Sequence, residues 1–274
     1  MSTATRTAGT SDTTPARVFP TLVLAHRRAA TRDATTIFFT FAFPLIFLLL
    51  FGSIFHGQDV EQSGKSYIHY IAPGVLTWGV ANAAVFSIAF ALMQWRESDL
   101  LRIIRMTPTR VGTLLSSKLA IALAVAVSQT VLFVGVAMIP FYGLRLAASS
   151  WQAVPLLALG VATFFALGAV IGSVMNTAES VAAVSNVVML PMAFLSGSFF
   201  PLDMMPGWLQ QVAQVFPLYY LNDGVGHALD GTGSISDLLV SLGGLGGFGV
   251  VFAAVAVKVF RWSDDEAWLR DALK

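Results

Sequence analysis

Six uncharged, strongly apolar runs of near membrane-crossing length constrain this 274-residue chain more than any other feature. They cover residues 37–55, 70–94, 119–141, 153–175, 180–198 and 238–257. An α-helix crosses about 30 Å of hydrocarbon in about 20 residues and satisfies its own backbone hydrogen bonds, so each run reads as a transmembrane helix. With 56% hydrophobic and 11% charged residues, the chain is far more apolar than a soluble core of this size requires. A further uncharged stretch, 204–222, contains Pro206, Gly207, Gln210, Gln211, Gln214 and Pro217. That composition suits a re-entrant or interfacial helix pair better than a seventh span. The expected class is an all-α integral membrane protein with six spans, preceded by a tail over residues 1–17 rich in Ser, Thr and Ala and followed by a second tail, 261–274; residues 18–260 form the membrane domain.

Net charge is only +1, but its distribution is informative. Fourteen of the sixteen Lys and Arg fall in the N-terminal segment, the second-to-third connection and the C-terminal tail, leaving only Lys65 and Arg145 on the opposite side. The excess of basic residues in cytoplasmic loops therefore places both termini in the cytoplasm, as an even number of spans requires. Twelve Arg against four Lys is the bias of a GC-rich coding sequence and points to a bacterium, where a multi-pass protein of this kind is expected in the cytoplasmic (inner) membrane. The first apolar run lacks a small-x-small cleavage site and is expected to be retained. A near-neutral chain of this kind is not expected to bind nucleic acid. With no cysteine and with His26, His56, His69 and His227 scattered, no metal site is expected.

Three segments carry chemistry. Before the first span, Val18, Phe19, Leu22, Val23, Ala25, Ala29 and Ala30 share one half of a helical wheel, opposite Arg27, Arg28 and Arg32. The pattern is that of a basic amphipathic helix in the inner interface, or of an ordinary positive flank. In the second-to-third connection, Ser98 or Asp99 can cap a short helix that Pro108 stops. It would present Leu100, Leu101, Ile103 and Ile104 on one face and Arg102 and Arg105 on the other, suited to docking on a soluble partner or to lying as a solvated loop. Between the fifth and sixth spans, Pro201, Pro206 and Pro217 bound two short helical pieces, with Phe199, Phe200, Trp208, Phe216, Tyr219 and Tyr220 as an aromatic belt at the outer interface.

Other patterns are uninformative or exclude a function. The sequence Gly243-Gly244-Leu245-Gly246-Gly247-Phe248-Gly249 contains a dinucleotide fingerprint in letters only: it lies inside an apolar helix without a preceding strand, and close helix packing through Gly243 and Gly247 explains it better. No phosphate-binding loop or hydrolase motif occurs, so neither ATP binding nor catalysis is expected of this chain. Polar residues within the spans, among them Asn82, Gln129 and Asn186, fit interhelical hydrogen bonds or the lining of a cavity. The spans hold no Asp, Glu, Lys or Arg and no inverted repeat is evident, which removes the usual basis for an ion-coupled transporter.

Taken in order, several landmarks resemble the permease subunit of ABC-2-type exporters, the class that includes daunorubicin-resistance-type drug permeases and lipid exporters. They are Arg32-Asp33 leading to Pro44, Tyr70-Ile71-Ala72-Pro73-Gly74, Arg96-Glu97 with Met106-Thr107-Pro108, Ser196-Gly197 through Phe200-Pro201, Pro206-Gly207-Trp208-Leu209, and Phe216-Pro217-Leu218-Tyr219-Tyr220. Departures are Ser98-Asp99 where many members have Gly after Arg-Glu, and the lack of an Arg after Tyr220. The resemblance implies a second permease copy or paralogue, and two copies of a separate cytoplasmic ATPase that carries the ATP and Mg²⁺. It also implies an ATPase-coupling role for Arg96, Glu97, Ser98, Leu100, Leu101, Ile104 and Arg105, an outer gate around residues 199–222, and a hydrophobic drug, antibiotic or lipid as cargo. The alternatives are a membrane anchor or sensor for a cytoplasmic partner, and an ATP-independent transporter.

Overall fold

The computed structural model describes residues 37–54, 59–60, 65–98, 111–200 and 202–260, together with Val23, Leu100 and Met106. Within these the fold is helical apart from connecting turns and a two-residue antiparallel ladder that pairs Asp59 with Ser66 and Val60 with Lys65. A π-helical turn, Phe38–Ala42, leads into α1 (Phe43–Ile54). There follow α2 (Tyr67–Glu97), α3 (Val111–Ala137), α4 (Ala153–Val174), α5 (Ala178–Leu195), the short α6 (Gly207–Ala213), α7 (Pro217–Asp230) and α8 (Ile235–Val259). Five of these, α2, α3, α4, α5 and α8, are long and apolar enough to cross a membrane, and α1 is a shorter apolar helix.

Helix ends differ from the uncharged runs because a span and the helix that contains it obey different rules. The run is limited by hydrocarbon thickness, whereas the helix continues until its backbone is capped. Thus α2 has 31 residues, about 46 Å at 1.5 Å per residue, well beyond a 30 Å core. Similarly, α3 begins at Val111 and takes Lys118 into its second turn, then stops at Ala137, where Pro140 and Gly143 (φ 70°) redirect the chain. Side-chain caps fix two other starts: Thr177 exchanges bonds with Ser180 ahead of α5, and Ser234 with Asp237 ahead of α8. Pro217 opens α7, and left-handed Gly231 (φ 72°) closes it.

The centre of the bundle is α2. Ile71, Val75, Ala81, Val85, Ile88 and Ala89 are fully buried along it, and α1, α3, α4, α5 and α7 all pack on it. Its largest interface is with α4, which in turn packs on α8. Helices α2 and α4 run parallel, and they meet backbone to backbone: a Cβ on Gly168 would lie 2.4 Å from the Val85 carbonyl oxygen, and one on Gly172 would lie 2.6 Å from that of Ala89. Residues four apart on one helix oppose residues four apart on the other, the register in which small side chains admit close approach.

Large apolar side chains cover much of the outer surface of the bundle. Val127 and Val131 on α3, Val187 and Leu190 on α5, and Leu239, Val240, Val250 and Val257 on α8 all point away from the core. Water would penalise such a surface, whereas lipid does not. One expectation is not met within this chain's α8: among the described residues nothing lies within 4 Å of a Cβ added to Gly243 or Gly247, while Gly244 packs against the Tyr220 ring and Gly249 against Thr163. A glycine-rich stretch has several small-residue stripes, and only the position of the partner helices selects the one in contact.

Candidate functional site

Chemistry-bearing residues gather at the two ends of α2 and at one point midway. At its C-terminal end Arg96 is 4% exposed. Its guanidinium donates to the carbonyls of Gly172 and Ser173, each at 2.9 Å, and to that of Met175. Those carbonyls end α4, where the last turn lacks intrahelical donors and the helix dipole favours a cation. Arg96 is therefore turned inward, holding the α4 terminus, rather than presented to solvent. Glu97 beside it is exposed, and the Ser98 hydroxyl donates to the Gln94 carbonyl at 2.7 Å. Leu100 is half-buried against the core. Leu101, Ile104 and Arg105 lie outside the described residues, as do Arg27, Arg28, Arg32 and Pro201.

At the opposite end of α2, the turn that follows α5 closes over the bundle. The Tyr70 hydroxyl reaches the carbonyls of Gly197 and, at 2.5 Å, Phe200. Ser198 lies so close to Gly74 that an added Cβ would sit 2.0 Å from the Ser198 carbonyl oxygen, and Gly197 itself holds the left-handed conformation (φ 77°) that lets the turn fold back. Asn222 of α7 donates to the Ser196 carbonyl at 3.4 Å and accepts from Thr77 of α2 at 3.4 Å. A further tie joins His69 on α2 to Asp230 at the end of α7, 3.3 Å apart. The motifs Tyr70–Gly74 and Ser196–Phe200, more than a hundred residues apart, are thus two sides of one contact.

The expected aromatic residues divide into different groups there. Phe199 is buried, with ring centroids 5.3 Å from Trp78, 5.5 Å from Phe47 and 5.4 Å from Phe194. Phe200 is exposed beside Phe194, and Trp208 on α6 is exposed. Phe216 caps α7, Pro217 is buried, and Tyr219 and Tyr220 stand edge to face at 5.2 Å, with Tyr220 against Phe248 of α8. The Phe47–Trp78–Phe199 cluster was not legible beforehand, because Phe47 and Trp78 lie in uniformly apolar runs where periodicity carries no signal.

Of the three polar span residues, Asn186 faces outward, Asn82 is half-buried, and Gln129 is 2% exposed. Both ends of the Gln129 amide lack a hydrogen-bond partner among the described residues, although the side chain packs beside Gly79 and Pro44. A buried unpaired amide is costly, so Gln129→Leu is expected to stabilise the protein by about 1–3 kcal/mol. Thermal unfolding in detergent checks this: the midpoint should rise, and an unchanged or lower midpoint would show that the amide is paired in solution.

Sequence comparison places this arrangement among known proteins. Residues 17–229 match the family model described as ABC-2 type transporter. The chain is 26% identical over 226 residues to a daunorubicin resistance ABC transporter permease protein of Streptomyces coeruleorubidus, covering 80% of this chain and 77% of that one. It is 30% identical over 186 residues to a putative transport permease of Cyanophora paradoxa, covering 65% and 62%. It is 22% identical over 221 residues to the inner membrane transport permease YadH of Escherichia coli, covering 80% and 82%. A family match over residues 17–229, most of the helical bundle, shows that this chain belongs to the ABC-2 type transporter family.

Proposed function

We propose that this chain is the permease subunit of an ATP-driven exporter that moves a hydrophobic drug, antibiotic or lipid outward across a bacterial inner membrane. The observation that carries the reading is the family match over residues 17–229, laid on a bundle that is apolar on its outside. Family membership implies an ABC ATPase as partner. Two ATPase copies and a second permease copy or paralogue complete the proposed complex.

In this reading α1 is the first of six spans, and both termini face the cytoplasm, as the partition of basic residues supports. The Arg96 end of α2 is then cytoplasmic and the Tyr70 end is outer. The segment from Glu97 to Arg105 receives the ATPase, with Arg96 behind it, and the basic segment carrying Arg27, Arg28 and Arg32 supports it from the membrane surface. At the outer end, the 196–200 turn with α6 and the start of α7 dips back into the membrane and acts as the gate. ATP binding and hydrolysis on the partner shift the bundle between inward and outward states, and cargo favours one state only by its differential affinity for the two. A lipophilic cargo fits spans without charged residues, and the relative named for daunorubicin resistance supports the drug class.

Inverted membrane vesicles containing the permease and its ATPase test the reading. Daunorubicin should accumulate with ATP and not with a non-hydrolysable analogue. Equal uptake without ATP points to an ATP-independent transporter, and no uptake under either condition removes this drug class.

A further inference from the structure

We propose that Arg96 is a positioning residue that makes the α4–α5 turn move with the ATPase-coupling segment. The inference rests on the permease reading and adds to it a route by which motion enters the bundle. The residue immediately before Glu97 is buried and turned away from any cytoplasmic partner, so it does not serve as a docking contact. Its two terminal nitrogens hold the carbonyls of Gly172, Ser173 and Met175.

The geometry makes this a stiff connection. Charge-assisted bonds from a planar guanidinium fork fix orientation as well as distance, which one ammonium group cannot do. One and two turns earlier, Gly172 and Gly168 already press α4 against the backbone of Ala89 and of Val85 on α2, so the two helices have no slack along this stretch. Only residues 175–177 separate α4 from α5, and Thr177 is the α5 N-cap, bonded to Ser180. A displacement of α2 at Glu97 is therefore delivered through Arg96 to Met175, and from Met175 to the first turn of α5. Helix α5 leads to the Ser196–Phe200 turn that Tyr70 holds at the other side of the membrane. The coupling segment thus reaches the outer turn by two routes, along α2 itself and across Arg96 into α5.

Hydrogen–deuterium exchange on the intact permease–ATPase complex in lipid nanodiscs, without nucleotide and trapped with ATP and vanadate, tests this. In the natural complex, exchange in residues 94–100 and in 175–181 should change together on trapping. In Arg96→Gln the change in 94–100 should persist while that in 175–181 falls by about fivefold or more, because the buried charged donor that joins the two segments has gone. Arg96→Lys, which keeps the charge at the helix end but not the fork, should give an intermediate response, and it carries the test where Arg96→Gln does not assemble. The proposal is overturned where the natural complex responds in 94–100 alone, or where both segments still respond in both variants. An absence of response in 94–100 of the natural complex overturns the permease–ATPase reading itself.

Discussion

Valine at Gly168 is expected to remove most of the folded protein from the membrane. The added Cβ alone would lie 2.4 Å from the Val85 carbonyl oxygen, 2.8 Å from the Val85 Cα and 2.7 Å from the Ile88 Cγ2. Two of these three obstacles are backbone, so no rotamer change relieves them and the α2–α4 interface must separate. Overpacking of a well-filled core costs about 1–3 kcal/mol and more where backbone must move, so a loss of about 3 kcal/mol or more is expected. Because α2 and α4 between them pack against α1, α3, α5, α7 and α8, that loss is spread over most of the fold rather than one end. Gly135→Val on α3, where an added Cβ meets nothing within 4 Å, is the control and should stay within about 0.5 kcal/mol. Yield and elution profile of fluorescent fusions in mild detergent measure both; a monodisperse Gly168→Val at normal yield would refute the packing.

Gly74→Val should release the 196–200 turn while leaving the rest of the bundle assembled. Its Cβ would lie 2.0 Å from the Ser198 carbonyl oxygen, so the 196–200 turn cannot remain seated on α2. Leaving costs Phe199 its burial against Trp78 and Phe47, about 1.5–3 kcal/mol, and Tyr70 its hydrogen bonds, about 1 kcal/mol each. A shift of about 3 kcal/mol changes the open fraction about a hundredfold. The chain has no cysteine, so a single reporter is unambiguous. Ser198→Cys, at a fully buried position, should react slowly with a membrane-impermeant maleimide, and about a hundredfold faster once Gly74→Val is added. Tyr70→Phe, which loses the donor but not the ring, should fall between. Equal labelling rates in all three would mean that the turn is already open.

Much of this was written in the sequence because the membrane restricts what a chain can do. Residues 153–175 could be read as a span, and α4 is Ala153–Val174, since an uncharged run of that length has few other stable conformations. Pro206 and Pro217 marked the starts of α6 and α7 because proline's fixed φ and missing N–H suit a helix start, whereas Pro73 and Pro191 lie inside α2 and α5 without ending them. What stayed hidden was pairing. Arg96 read as a surface contact because nothing in a sequence reports that the carbonyls of Gly172, Ser173 and Met175 will be waiting for it; main-chain acceptors are the same at every residue. The choice of Gly244 over Gly243 depends on where Tyr220 lies, and Tyr70 reaches Gly197 across 127 residues. In apolar helices the hydrophobic pattern is nearly uniform, so it locates a helix without saying which face meets which neighbour.

The central claim is that this chain is the membrane half of a machine powered by a separate ATPase. Affinity purification of the tagged chain from its own host membrane in mild detergent, followed by native mass spectrometry, tests it most directly. The expected result is an assembly that contains one ABC ATPase for each permease. A permease that emerges with no ATPase, or with a kinase or other regulator in its place, would contradict it.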